Sequence, residues 1–199
     1  MKIAAMITMM VMAGMAAQAG ETTQVTERTV TVCIDAGVGY RVTSQAQMIA
    51  SQMFAGIGVT IAWRHSCNSG TAQVIWIRIT DQTPITLKPG ALAYALPYDG
   101  KYIRVFYDRI YENRGAAPLP RLLAHVIAHE ITHVLQGIDR HSEEGVMKAR
   151  WDELDYTHMA VRPLPFAEED IDLIYRGLAR RAAREMLAMN AAPVMVAAK

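Results

Sequence analysis

Two histidines and a glutamate, His129, Glu130 and His133, stand in the order H-E-x-x-H within Pro118 to about Gly137, PLPRLLAHVIAHEITHVLQG. Four residues along an α-helix is a rise of about 6 Å and slightly more than one turn. Two imidazoles at that spacing share a face and can both reach one metal ion. Glu130, beside the first of them, is placed to hold a water at that metal and act as its general base. The arrangement suits a single catalytic zinc ion, because catalytic zinc takes three protein ligands and keeps an open position.

Three kinds of residue are candidates for the third ligand. His141 follows His133 by eight residues, beyond the glycine at 137 that lets the chain turn back. Asp139 is the alternative third ligand, and Glu168 or Glu169 on the following helix is the remaining option. Imidazole is the commoner ligand at such sites, which favours His141. His125, one turn before His129, reads as a packing or supporting residue, and the isolated His65 and His158 read as surface or loop residues.

The motif needs a helix to carry it. Leu119, Leu122, Leu123, Val126, Ile127, Ile131, Val134 and Leu135 recur at intervals of three and four, an apolar stripe that predicts packing against a sheet. Gly137 ends the helix as a C-cap. Upstream, Thr29–Ile34 is β-branched and predicts a first strand. A helix capped by Thr43 or Ser44 is expected to run to Ala55. Strands follow at Val59–Arg64, Gln73–Thr80, Ala91–Leu96 and Lys101–Tyr107, and residues 138–166 read as loop. A last helix, Ala167 to about Met189, has acids at its start and arginines at its end, matching the helix dipole. Its Arg176, Arg180 and Arg184 share a solvated face. The expected fold is α+β: a mixed, mostly five-stranded sheet backed by two helices, with a C-terminal helix after the metal-site loop.

The first residues, MKIAAMITMMVMAGMAAQAG, have the three parts of a secretory signal: Lys2, an apolar stretch and the small-residue site Ala17-Gln18-Ala19. The expected organisation is a signal peptide at 1–19, one catalytic domain at 20–189 and a flexible tail at 190–199. That predicts a secreted or periplasmic protein with no membrane span after cleavage. The formal net charge of +1 falls to zero once Lys2 is removed, and without a basic excess a nucleic-acid partner is not expected. A peptide or protein substrate and a monomer are expected. The chain's two cysteines, Cys33 and Cys67, predict one disulfide in an exported protein.

The segment HEITHVLQGIDRHSEEGVM resembles the metzincin clan of zinc endopeptidases, particularly its matrixin-like branch and small exported bacterial proteins of that type. The clan signature is H-E-x-x-H-x-x-G-x-x-H, often followed by Ser and then by a Met-turn. The likeness covers His129, Glu130, His133, Gly137, His141, Ser142 and Met147. The glycine stands one residue later than the signature requires and His141 two later; strict spacing would put Asp139 in the ligand position. The resemblance implies a zincin-like half-domain and metal-assisted hydrolysis of peptide bonds. It also implies a Met147 floor beneath the ligands, ordinary core packing being the other reading of that residue. The Ala91–Leu96 strand, with Ala91 and Tyr94, is the candidate edge to which an extended peptide would add. A non-catalytic binding module braced by zinc is the alternative function, and a closed fourth ligand such as His125 or His158 would mark it.

Overall fold

The computed structural model describes residues 28–37, 39–66, 73–87, 89–96 and 101–191. The expected signal peptide, Cys67 and the tail from residue 192 lie outside the described residues.

Five strands form one sheet in the order β2-β1-β3-β5-β4, where β1 is Arg28–Ala36, β2 Val59–Arg64, β3 Ile75–Thr80, β4 Ala93–Ala95 and β5 Tyr102–Phe106. The first four in that order are parallel, and β4 pairs antiparallel with β5 at the edge. The alternation in β3 shows how the sheet is used. Ile75, Ile77 and Ile79 are buried, whereas Trp76, Arg78 and Thr80 keep contact with solvent. One face therefore carries the core, and the helices pack there.

Helix α1, Tyr40–Ala55, and helix α3, Leu119–Gln136, pack on each other within a core shared with β1, β3 and β5. Every residue of the predicted α3 stripe from Leu122 to Leu135 is buried. Pro120 stands in the first turn, where a missing N–H costs nothing. Gly137 closes α3 in the left-handed conformation (φ 69°), donating its N–H to the His133 carbonyl at 2.9 Å. This α+β arrangement is the one expected of a zincin-like half-domain.

Several boundaries differ from expectation for identifiable reasons. Helix α1 begins a turn before the expected Thr43 or Ser44 cap. Gly39, at φ 53°, turns the chain without any capping side chain, and the Ser44 hydroxyl donates back to the Tyr40 carbonyl. The candidate edge strand is shorter than Ala91–Leu96, spanning only Ala93–Ala95. Two helices were not expected. Helix α2, Tyr107–Glu112, continues directly from β5 and buries only Ile110. Helix α4, Glu153–Val161, lies inside the expected loop. It buries only Met159, so it shows no apolar period, but it opens on a reciprocal capping box between Asp152 and Asp155.

Helix α5, Glu168–Ala191, packs across the end of α3. Gly177 makes this possible: a Cβ there would stand 1.7 Å from the Leu135 carbonyl oxygen. Arg180, expected on a solvated face, donates to the Gln136 carbonyl at 2.7 Å and so caps the last turn of α3. Cys33 is buried in β1, and no cysteine among the described residues is free. No described helix is long and apolar enough to cross a membrane.

Candidate metal centre

His129 and His133 project from one face of α3, and the loop after Gly137 brings His141 back to them. Ring centroids are 4.7 Å apart for His129 and His133, 5.2 Å for His129 and His141, and 4.9 Å for His133 and His141. One nitrogen from each of the three lies within 4.8 Å of the other two, a grouping that could hold a metal ion. Asp139 is not part of it. It is exposed on the cleft rim, where its charge acts on Glu130 and His133. Glu169 is engaged by Arg140 instead, and Glu168 is exposed.

The orientation of the first two imidazoles is fixed from behind. His129 Nδ1 lies 2.8 Å from the Val146 carbonyl, and His133 Nδ1 lies 3.2 Å from the Ile138 carbonyl. A carbonyl only accepts, so each Nδ1 carries the proton. Burial, then the neighbouring His133, holds His129 down at about 3, and burial lowers His133 as well, so both rings are neutral. Each Nε2 is therefore a bare lone pair, and the two stand 3.0 Å apart. Zinc–nitrogen bonds of about 2.0–2.1 Å at a tetrahedral angle require a separation of about 3.3 Å. Two facing lone pairs with supported tautomers suit a metal ion that takes imidazole nitrogen.

Glu130 is buried beside this group, and burial, then the charge of Asp139, raises its carboxyl to about 8. A nearby cation would oppose that shift. The three histidines and Glu130 open onto a cleft of about 970 Å³. One wall is residues 89–96, which include Ala91 and Tyr94; the other includes Lys148, Arg150, Trp151 and Tyr156. Tyr94 packs its ring on Phe106 at 5.9 Å. The Ala91 carbonyl is taken by Arg109 Nη1 at 2.8 Å, so the strand edge proper starts after it.

His125 is a core residue. Its Nδ1 donates to the Arg121 carbonyl at 2.7 Å, and its Nε2 accepts from the Leu164 N–H at 2.9 Å. His158 is exposed on α4 and His65 is exposed after β2. Among the described residues no fourth protein ligand joins the three imidazoles. Met147 is wholly buried in the main core, next to the Val146 carbonyl that holds His129.

Sequence reasoning missed the supporting groups. The Ile138 and Val146 carbonyls leave no mark in side-chain identity. Asp170, wholly buried at the start of α5, accepts from Ser142, Arg140 and Gln136. Its signal was hidden because the helix dipole already accounts for an acidic first turn.

No protein-family model and no curated protein matches the chain. Among solved structures it is similar to archaemetzincin from Methanopyrus kandleri, at 15% identity, with 77% of this chain and 97% of that chain covered and a TM-score of 0.49. At that level the likeness carries no functional weight, and the site's own geometry has to bear it.

Proposed function

We propose that the chain is an exported zinc metalloendopeptidase. The observation that carries this reading is the convergence of His129, His133 and His141 beside the buried carboxylate of Glu130, at a cleft with an open strand edge. Zinc, when bound, supplies a Lewis acid that polarises a scissile carbonyl and lowers the pKa of a water towards about 7. Glu130 takes the proton from the attacking water and delivers it to the leaving amine. The low-dielectric surroundings of Glu130 strengthen that exchange.

The register of the sheet says how an extended substrate would lie. Phe106 N–H bonds the Leu92 carbonyl at 2.9 Å and Leu96 N–H bonds the Tyr102 carbonyl at 3.1 Å. Residues 92, 94 and 96 therefore face β5, and alternation turns the main-chain groups of Ala93 and Ala95 outward. A peptide adds its backbone there. The short side chains of these alanines let it approach closely. Met147 acts as the apolar floor of the site in addition to packing in the core.

Export rests on the leader sequence at 1–19, which places the mature domain in the periplasm or outside the cell. A disulfide between Cys33 and Cys67 belongs to the same reading. It would stabilise by about 3–4 kcal/mol in the chain-entropy model. The zinc-braced binding module is the less favoured reading, since both nitrogens of His125 are committed to backbone groups and His158 is not grouped with the three imidazoles.

The test is digestion of a peptide library by purified mature protein, with and without a chelator, alongside Glu130→Gln. Cleavage should need the metal. The variant should hold zinc at wild-type stoichiometry while its turnover falls by at least about 10²-fold, the lower end for a lost general base. Zinc-loaded wild type that cleaves nothing, or a variant that cleaves as fast, refutes the peptidase reading.

A further inference from the structure

We propose that Asp170 is the positioning residue of the metal site, a latch on α5 that sets where His141 stands and, through the same loop, how His129 is held. This rests on the reading of the three imidazoles as zinc ligands. His141 is exposed, and unlike His129 and His133 its ring makes no hydrogen bond to any described residue. Its position must come from the backbone on either side. Both neighbours are tied to one carboxylate. Arg140 Nη1 donates to Asp170 Oδ1 at 3.0 Å, and the Ser142 hydroxyl lies 2.8 and 2.7 Å from the two carboxylate oxygens. Arg140 Nη1 also reaches the Ser142 hydroxyl at 3.2 Å, and its other arm pairs with Glu169.

The latch extends both ways. Gln136, in the last turn of α3, donates Nε2 to Asp170 Oδ1 at 3.3 Å. The helix that presents His129 and His133 and the loop that presents His141 are therefore referred to the same atom. On the far side, Ser142 N–H bonds the Met147 carbonyl at 2.8 Å, closing the turn that contains Val146, whose carbonyl orients His129. The turn is backed by Val146 N–H donating to the Pro165 carbonyl at 2.9 Å. Asp170 has no access to solvent, so water cannot replace a lost partner without the site opening.

The loop between His133 and His141 is two residues longer than the metzincin signature. Extra chain length adds conformers in which the third imidazole is elsewhere. A buried, charge-assisted tie on both neighbours of that imidazole removes them.

The experiment compares wild type, Ser142→Ala, Asp170→Asn and Glu169→Gln by zinc competition against a chelator, at a temperature where circular dichroism shows each folded. The second readout is the visible spectrum of the Co²⁺-substituted protein. Ser142→Ala keeps the Arg140–Asp170 pair and so guards against a variant that cannot fold. Ser142→Ala and Asp170→Asn should bind zinc 10- to 100-fold more weakly, the usual effect of losing an outer-shell partner. Their Co²⁺ bands should weaken as the third imidazole drops out. Glu169→Gln, which touches only the exposed arm of Arg140, should match wild type. Folded Ser142→Ala and Asp170→Asn with wild-type affinity and spectrum, and only a lower melting temperature, overturn the inference while leaving the metal reading intact. A wild type that takes up no zinc overturns both.

Discussion

Replacing Gly177 with alanine tests whether the docking of α5 on α3 sustains the metal site. The added Cβ would stand 1.7 Å from the Leu135 carbonyl oxygen and 2.7 Å from its carbon, both main-chain atoms that cannot swing away. Two effects oppose each other. Alanine in a helix interior gains about 1 kcal/mol over glycine from backbone entropy. Against this, reaching an ordinary contact of 3.4 Å parts the helices by roughly 1.7 Å, and a gap of even about 0.5–1 Å forfeits a quarter to a half of the dispersion attraction across it. Ile174, Leu135 and the half-buried Leu178 belong to the packing that would open. Overpacking costs about 1–3 kcal/mol and more where backbone must move, so the clash wins and Gly177→Ala should lose about 2 kcal/mol or more. Urea unfolding measures this as a lower midpoint, with Gly37→Ala as the control because nothing lies within 4 Å of its Cβ. Zinc affinity should fall with stability, since Asp170 lies on the same helix two turns upstream. A variant as stable as wild type, or more stable by the helix-propensity gain, would refute the close approach.

The remaining predictions concern the imidazoles. His141→Ala should cut the zinc content of the purified protein far more than Asp139→Ala, by elemental analysis at equal zinc exposure; the reverse ranking would move the third ligand to the aspartate. Burial holds His125 at about 4, below its ordinary 6.5, so between those values the unfolded chain binds a proton that the folded one refuses. The contribution of this one group is fully present above about pH 6.5 and falls by about 1.4 kcal/mol per pH unit towards pH 4, roughly 3 kcal/mol in all. His125→Gln should make that slope shallower in urea titrations of the metal-free protein, the buried His129 and His133 keeping their own shares, and an unchanged slope would assign the acid sensitivity elsewhere.

The parts of the site that the sequence displayed are those carried by regular spacing. His129, Glu130 and His133 were legible because one helix fixes their relation, and the stripe from Leu122 to Leu135 fixes which side of the helix is buried. Strands β1, β2 and β3 were legible for a similar reason: β-branched runs between glycines leave little choice. What escaped reading lies where tertiary contacts decide. Helix α4 buries one side chain and has only its capping box to announce it, a signal carried by Asp152 and Asp155 and not by hydrophobic period. The lone pair of acids Glu168 and Glu169 drew attention as ligand candidates, yet the working residue beside them is Asp170, and nothing local distinguishes it. Its role depends on Gly177 letting α5 come down on α3, a relation between residues that share no periodicity.

The same geometry explains why three histidines should sit so close with no charge to separate them. With Nδ1 of His129 and His133 both donating to carbonyls, their Nε2 lone pairs confront each other at 3.0 Å, a repulsive contact that a proton could relieve only by charging a buried ring. Burial opposes that in both rings. A divalent cation relieves it at once and also lowers the cost of ionising Glu130 in its dry pocket. The core of α3 on one side and the proposed Asp170 latch on the other hold the three imidazoles together where such a cation would be bound. Binding free energy then appears as added fold stability.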